Sequence, residues 1–339
     1  MKKILAMLLM TCLMLTGCGG GGTSDSSAAS TGAESDLEEI DIMLDWYPNA
    51  VHAFIYDAIE KGYFEDAGLK VNVLYPSNPT DPMSMAAAGK IDFGFYYQED
   101  IIVAKANENV PLKVVGAVVQ EPLDVVCSIS DKNIKTPADL KGKTIGYSGV
   151  PFVEMAMKEI LGTAGLTMDD VEMVNVGFDL MSSMTTGNVD ATYGCFINHE
   201  IPALEEEGFE MNVMKPTENG VPNYCALMMV TGEKNLEERE DAYTRFLEAC
   251  QKGFEDVKAD PEAALALMMA NQDTDNFPLT ESVERKSFEI LLPMMEKEGT
   301  PFLSQSEEVW QTNIDWLKEI GMIDNTFEPS DVMVDLLAD

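Results

Sequence analysis

The sequence predicts an α/β fold with two lobes, each a mainly parallel sheet flanked by helices, joined by two hinge crossings. From residue 40 onward, short apolar strands alternate with stretches whose apolar residues recur at helical spacing. The same alternation restarts after Thr136-Pro137. An apolar run at 225–230 then precedes a purely helical C-terminal part, which indicates that the chain returns to its first lobe.

Each element follows from its own pattern. The apolar residues of 40–44 predict a buried strand, and the next segment, 50–61, has apolar residues at helical spacing and ends at Gly62. Pro137 follows a Thr cap, the usual place for Pro at a helix start. The predicted strands are 40–44, 69–75, 91–97, 112–119, 125–130, 144–147, 171–174, 189–193, 211–214 and 225–230. The predicted helices are 50–61, 81–88, 99–107, 152–164, 179–186, 197–207, 237–258, 261–270, 280–298 and 306–320.

This layout is typical of a periplasmic-binding-protein-like fold of type II. Residues 38–129 and 228–339 are predicted to form lobe 1, and residues 130–227 lobe 2. The two hinge crossings are expected near 128–131 and 224–230. A ligand would lie in the cleft at the carboxyl ends of strands from both lobes, and hinge rotation would close it.

The N-terminus predicts export. Lys2 and Lys3 precede a short apolar stretch at 4–15, which is too short to span a bilayer. Residues 15–18 resemble the lipobox of bacterial lipoproteins, which implies a signal peptide at 1–17 and lipid attachment at Cys18. An ordinary secretory signal with a chance Cys is the alternative. Residues 18–37, rich in Gly, Ser and acid, predict a flexible tether, so we expect a lipid-anchored protein at the extracytoplasmic face of the cell membrane.

The charge excludes some partners and weighs against certain ligands. A net charge of −37 repels phosphate backbones, so no nucleic-acid partner is expected. The only arginines are Arg239, Arg245 and Arg285, all in the last third of the chain. Because bidentate Arg usually grips planar carboxylates and phosphates, a pocket built from residues 40–230 lacks the residue that amino-acid, nitrate or sulfonate ligands favour.

The cysteines predict neither a metal site nor a catalytic centre. Cys127, Cys195, Cys225 and Cys250 show no CxxC or Cys/His spacing, so no metal is expected. One disulfide is compatible with export, but the sequence does not select its pair. A reduced set of buried thiols is an equal alternative.

The candidate ligand site lies on the loops after the strands. Aromatic side chains and neutral or acidic hydrogen-bonding groups dominate these loops, which suits a flat, polar, neutral-to-cationic heterocycle. Each assignment has a structural alternative: the aromatic residues could pack in the core, and Glu200 could favour its helix dipole. The candidate binding residues are Asp45, Trp46, Asn49, His52, Tyr97, Gln98, Ser148, Gly149, Tyr193, Phe196, Glu200 and Tyr224.

Six short motifs stand out between residues 44 and 147: LDWYPNAVH at 44–52, KGYF at 61–64, GL at 68–69, PSNPT at 76–80, GKIDFG at 89–94 and LKGKTIGY at 140–147. Together they resemble the thiamine-pyrimidine-precursor family, and the resemblance covers roughly residues 39–270. That family joins fungal enzymes that make hydroxymethylpyrimidine phosphate to bacterial lipoproteins that deliver formylaminopyrimidine-type precursors to ABC importers.

Three departures favour the binding branch over the enzyme branch. Tyr96 stands where the enzymes use a Lys for pyridoxal phosphate, Asp100 stands at their donor His, and their cysteine cluster is reduced to Cys225. Without the Schiff-base Lys that cofactor has no covalent attachment. The resemblance therefore implies a non-enzyme with no cofactor.

The resulting hypothesis is a lipid-anchored solute-binding protein, expected to be monomeric, that hands a pyrimidine precursor to ABC permease subunits. Trp46, Tyr97, Tyr193 and Phe196 would wall the ring. Asn49, Gln98 and Glu200 would bond its polar edges, and Ser148 with Gly149 would add further hydrogen bonds. The alternatives are a binding protein for riboflavin, alkanesulfonate or taurine, an extracellular enzyme acting on a heterocycle, and a sensor lobe for a membrane kinase.

Overall fold

The computed structural model describes residues 37–338, except for 79, 178, 273, 276 and 277. The predicted signal peptide at 1–17, the lipid attachment site Cys18 and the tether up to residue 36 lie outside the described residues. In the described part of the chain, no helix combines the length and the apolar character that crossing a membrane requires.

Ten strands in the described residues form two five-stranded sheets, as the predicted two-lobed α/β fold requires. Each predicted strand is present, with ends that differ by a few residues. The strands are β1 Glu38–Met43, β2 Leu69–Leu74, β3 Phe93–Tyr96, β4 Leu112–Val119, β5 Asp124–Ile129, β6 Thr144–Tyr147, β7 Glu172–Asn175, β8 Ala191–Phe196, β9 Met211–Met214 and β10 Leu227–Gly232.

The two sheets share one plan, in which a single strand runs against the others. The first has the order β2-β1-β3-β10-β4 and the second the order β7-β6-β8-β5-β9. In the first, β1 is parallel to β2 and β3, and β10 is antiparallel to both its neighbours. In the second, β6 is parallel to β7 and β8, and β5 is antiparallel to both its neighbours. The reversed strand in each sheet, β10 or β5, is the one that enters it from the other sheet.

The chain passes from the first sheet to the second earlier than predicted. β5 pairs with β8 and β9, so residues 124–129 belong to the second sheet rather than to lobe 1. The chain therefore crosses at residues 120–123, between β4 and β5, and not at 128–131. It returns between β9 and β10, through residues 215–226, which overlaps the predicted second crossing.

The helices cover the sheets at the predicted places. The main change is the helix predicted at 237–258, which begins at Glu233. Short 3-10 helices occur at Ala50–His52, Ser130–Lys132, Pro137–Leu140, Met168–Asp170, Pro216–Glu218 and Pro329–Asp331. The α-helices are α1 Ala53–Glu60, α2 Tyr63–Asp66, α3 Asp81–Ala87, α4 Gln98–Glu108, α5 Pro151–Thr163, α6 Leu180–Thr185, α7 Glu200–Glu206, α8 Glu233–Ala259, α9 Pro261–Asn271, α10 Glu281–Met295 and α11 Glu307–Glu319.

Helix α1, which follows the first candidate loop, packs closely against α8. The close approach depends on Gly253 of α8, where an added Cβ would lie 2.1 Å from the Phe54 carbonyl oxygen and 3.0 Å from Ala58 Cβ. Backbone atoms of a helix cannot move aside as the end of a flexible side chain can. Only glycine therefore fits at position 253 while α1 and α8 keep this separation.

Gly253→Ala is therefore expected to lower the free energy of unfolding by about 2 kcal/mol, because α1 and α8 must separate. Gly162→Ala is the matched control: Gly162 is also helical, in α5, and an added Cβ would meet nothing within 4 Å. That variant should be neutral or more stable by up to about 1 kcal/mol, from helix propensity alone. Urea unfolding measures both, and equal effects at the two sites would contradict the close-packing argument.

Candidate functional site

The loop after β1 brings three predicted site residues into one hydrogen-bonded group. Asn49 Oδ1 accepts a hydrogen bond from Val51 N (3.0 Å) and so caps the short helix Ala50–His52. This turn directs His52 back toward Asp45, and His52 Nε2–H donates to Asp45 Oδ1 at 2.9 Å. Tyr97, at the end of β3, donates its hydroxyl to Asp45 Oδ2 at 3.2 Å. Asp45 thus joins the ends of β1 and β3.

Burial makes this group sensitive to change. Asp45 and His52 are both buried, and the edge of the His52 ring meets Phe95 at a centroid distance of 5.8 Å. Burial, followed by the charge of Asp45, raises the pKa of the Tyr97 phenol well above its ordinary value, so Tyr97 stays neutral. The neutral phenol donates a hydrogen bond to Asp45, and its ring presents an apolar surface.

Gln98, the first residue of α4, links this loop to the returning crossing. Its side chain is fully buried, and its Oε1 accepts a hydrogen bond from Cys225 N at 2.8 Å. Its Nε2 has no hydrogen-bond partner among the described residues. A buried amide NH2 without a partner costs free energy, so Gln98 Nε2 is an unsatisfied donor beside the second crossing.

A second polar group lies at the crossings and includes two residues that the sequence analysis missed, Glu99 and Asp124. The Tyr224 hydroxyl donates to Asp124 Oδ1. Burial, followed by the charge of Asp124, raises the pKa of the Tyr193 phenol well above its ordinary value. Burial also raises the pKa of Asp124. The pKa of buried Glu99 lies well above its ordinary value because of its burial, and the charge of Asp124 raises it further. A charged residue at the start of an apolar strand is the sequence signal that could have identified Asp124.

Two predicted residues lie at the start of α5. Ser148 and Gly149 are half-buried in the loop after β6. Gly149 has a φ of 86°, and an added Cβ there would lie 2.3 Å from Asn175 Nδ2. Its glycine is therefore explained by the backbone alone. Trp46 is half-buried after β1, with its ring centroid 5.0 Å from that of Tyr47.

The loop after β8 forms a third polar group, which reaches α10. Glu200 Oε2 accepts a hydrogen bond from Phe196 N (2.8 Å), and its Oε1 lies 3.2 Å from His199 Nδ1. His199 Nε2 lies 3.7 Å from Glu284 Oε1 on α10. Glu200, the first residue of α7, therefore connects this helix to the end of β8.

The aromatic candidates partly converge. Tyr97 packs against two apolar clusters: one also contacts Phe196, and the other contains Tyr193 and Tyr224. These four residues come from the end of β3, from β8 and from the second crossing. Within the described residues, no side-chain hydrogen bond joins Ser148 or Gly149 to these four. Surface concavities of about 480 and 410 Å³ occur elsewhere, one beside Lys105 and Lys113 and one beside Trp316.

The three arginines are all engaged by carboxylates away from these loops. Arg239 bonds Glu38 and Asp92, Arg245 bonds Glu38 and Asp241, and Arg285 bonds Glu262 and Glu281. They hold the first sheet and the C-terminal helices together. No guanidinium is therefore aimed at the candidate loops, which agrees with the sequence argument against sulfonate and carboxylate ligands.

The four described cysteines are buried free thiols. Cys127 and Cys195 both contact Thr192 Oγ1, at 3.3 and 3.4 Å. Burial raises the pKa of Cys225 to about 12, so it is not a reactive thiolate. Within residues 37–338, gaps excepted, no group of three or more His, Cys, Asp or Glu is arranged to hold a metal ion.

Relatives of known sequence cover nearly the whole chain. The formylaminopyrimidine-binding protein of Halalkalibacterium halodurans is 40% identical over 315 residues, which are 93% of this chain and 92% of the relative. The 4-amino-5-hydroxymethyl-2-methylpyrimidine phosphate synthase of Aspergillus parasiticus is 27% identical over 305 residues, 86% of each chain.

Solved structures and a family model add the fold and the classification. The periplasmic aliphatic sulphonate binding protein SsuA from Escherichia coli matches with a TM-score of 0.68 and 18% identity, over 87% of this chain and 96% of its own. This likeness confirms the two-lobed periplasmic-binding-protein fold. A model described as NMT1/THI5 like matches residues 49–264, well over half of the chain. The chain therefore belongs to the NMT1/THI5-like family.

Proposed function

We propose that the chain is the lipid-anchored solute-binding protein of an ABC importer and captures a thiamine pyrimidine precursor of the hydroxymethyl- or formylaminopyrimidine type. The observation that carries the proposal is the 40% identity to a formylaminopyrimidine-binding protein along nearly the whole of both chains. The anchor at Cys18, the permease partners and the monomeric state belong to the same proposal. The lobes would meet at crossings 120–123 and 215–226 and close over the ligand between them.

The site chemistry supports an aminopyrimidine guest. Such a ring has a flat face, an amino donor and ring-nitrogen acceptors. The rings of Tyr97, Tyr193 and Phe196 would cover the faces, with Trp46 as an outer wall. Asp45 would accept from the amino group, and the unpaired Gln98 Nε2 would donate to a ring nitrogen.

The remaining candidates have narrower roles in this proposal. Asn49 uses its Oδ1 to cap the helix at Ala50 and one N–H of Nδ2 to bond Tyr47 O, so only its second N–H would face a ligand. Each Glu200 oxygen already has one partner, but a carboxylate oxygen can accept a second hydrogen bond. Tyr224 would act through Asp124.

The same proposal makes the chain a binder rather than an enzyme. Tyr96 is a buried phenol whose pKa burial raises, and a phenol cannot form the Schiff base that a Lys forms. Asp100, whose pKa burial raises to about 6, replaces the donor His of the synthases that the chain resembles. The high pKa of Cys225 keeps it a thiol.

A thermal-stability panel tests the ligand class on the purified protein. A ligand that binds only the folded state at 100 times its Kd raises the free energy of unfolding by about 2.7 kcal/mol. Formylaminopyrimidine or hydroxymethylpyrimidine is expected to raise Tm, whereas riboflavin, taurine and an alkanesulfonate are expected to leave it unchanged. Stabilisation by a sulfonate or a flavin, with none by any pyrimidine, would contradict the proposal.

A further inference from the structure

A buried carboxylate on α10 joins the two halves of the candidate site. Glu284 is 1% exposed, and its Oε2 accepts a hydrogen bond from Ala50 N at 2.8 Å. Ala50 directly follows Asn49 and begins the short helix that positions His52 against Asp45. Glu284 therefore fixes the loop after β1, although it is 234 residues away in sequence.

The other oxygen of Glu284 faces the loop after β8. His199 Nε2 lies 3.7 Å from Glu284 Oε1, while His199 Nδ1 lies 3.2 Å from Glu200 Oε1. One turn further along α10, Ser287 Oγ accepts a hydrogen bond from Asn198 Nδ2 at 3.0 Å. Asn198 and Ser287 are both buried, so residues 198 and 199 dock on one stripe of α10.

The charges around His199 favour its protonated form. Burial opposes the charge, but Glu200 and Glu284 outweigh it and raise the pKa of His199 above its ordinary value. Burial raises the pKa of Glu284, and the neighbouring His199, the Ala50 amide and His52 offset part of that rise, while Glu200 adds to it. At the exposed side of the same contact, Lys286 of α10 faces Glu205 of α7 and pairs with Glu289.

We propose that Glu284 is a positioning residue for ligand binding, which holds the loop after β1 and, through the protonated imidazole of His199, the loop after β8. The inference rests on the proposed function in one respect, that ligand binds between these loops. A protonated imidazole donates to Glu200 Oε1 and forms an ion pair with Glu284 Oε1 at 3.7 Å, which neutralises part of the charge of both carboxylates. The neutral imidazole carries no charge, so the ion pair with Glu284 is lost and the two loops lose one contact.

The sign of the pH effect follows from the raised pKa. The contact is complete below the ordinary imidazole value of about 6.5 and is lost as pH rises past the raised value. Ligand affinity of the wild type is expected to fall about fivefold across that range. In Glu284→Gln the amide oxygen still accepts from Ala50 N but carries no charge, so this fall should vanish while the loop after β1 stays in place.

The first test needs no ligand. The chain has only two histidines, and His199→Gln assigns their proton NMR signals. The pKa of His199 should exceed about 6.5 in the wild type and drop in Glu284→Gln. Glu289→Gln, an exposed change on the same helix, should leave it unchanged. An identical His199 titration in the wild type and in Glu284→Gln would overturn the inference.

The second test is calorimetric titration with formylaminopyrimidine at several pH values. Any titration of the ligand itself is the same for every protein, so it cancels when the Kd of each variant is divided by the Kd of the wild type at the same pH. The positioning role is supported if the ratio of the variant Kd to the wild-type Kd stays flat with pH for Glu289→Gln but changes about fivefold for Glu284→Gln and His199→Gln. Parallel pH profiles in all four proteins would refute it. Absence of binding at every pH would instead contradict the proposed function, and the NMR result would still decide the contact.

Discussion

Replacing Asp45 by alanine is expected to lower the free energy of unfolding by about 3 kcal/mol and to weaken pyrimidine binding about 100-fold. Asp45 is the shared acceptor of His52 and Tyr97, and its loss leaves the fully buried His52 without its carboxylate partner. It would also remove the proposed acceptor for the amino group of the ligand. Urea unfolding and calorimetric titration measure the two effects.

Two variants serve as controls for Asp45→Ala: one removes only the charge of residue 45, and the other removes a carboxylate elsewhere on β1. Asp45→Asn keeps an oxygen for one donor and should lose less stability than Asp45→Ala. Glu39→Gln removes a carboxylate of β1 whose 2.9 Å pair with Lys70 is exposed and screened by solvent, so it should change stability little and leave binding intact. If Asp45→Ala behaved like Glu39→Gln in both measurements, the first polar group would have no role in the site.

The second large effect is expected at Arg239. Its guanidinium bonds Glu38, the Glu39 carbonyl and Asp92, and Asp92 is only 6% exposed. Removing one partner of a buried ion pair is costly because the other charge stays buried, so Arg239→Ala should lower the free energy of unfolding by about 3 kcal/mol. Asp92 would keep its bonds from Asp41 N and Tyr243, which limits the loss.

Arg285→Ala is the matched control for Arg239→Ala. Arg285 also binds two carboxylates, Glu262 and Glu281, but all three side chains are exposed and screened by solvent, so the expected loss of stability is small. Neither variant should change the affinity for pyrimidine, because neither arginine reaches the candidate loops. A large loss of affinity in the folded Arg239→Ala protein would favour an anionic ligand and count against the proposed guest.

The elements were predictable because their signals are local. Alternation of strand and helix, a Thr-Pro helix start and glycine stops lie within a few residues of the feature they specify. The position of the first crossing was not predictable in this way. An apolar run such as 124–129 fits either sheet, and its place is decided by pairing with β8 and β9, far away in sequence.

The same limit applies to the site. Asp45 and Tyr97 were identified because each follows a buried strand, and strand ends meet at one edge of a sheet. Asn49 was expected at a ligand edge, but its oxygen caps the helix, a local alternative that its residue type equally allows. Glu99, Asp124 and Glu284 were missed because their burial depends on elements that approach only in the folded chain.

A crystal structure of the mature chain grown with formylaminopyrimidine would show whether the candidate loops bind the ligand unchanged. We expect one intact pyrimidine ring between Tyr97 on one side and the Tyr193–Phe196 segment on the other, within hydrogen-bond distance of Asp45 and Gln98. A ring bound in the concavity beside Lys105 and Lys113, or a chemically altered ligand at the candidate loops, would contradict this expectation.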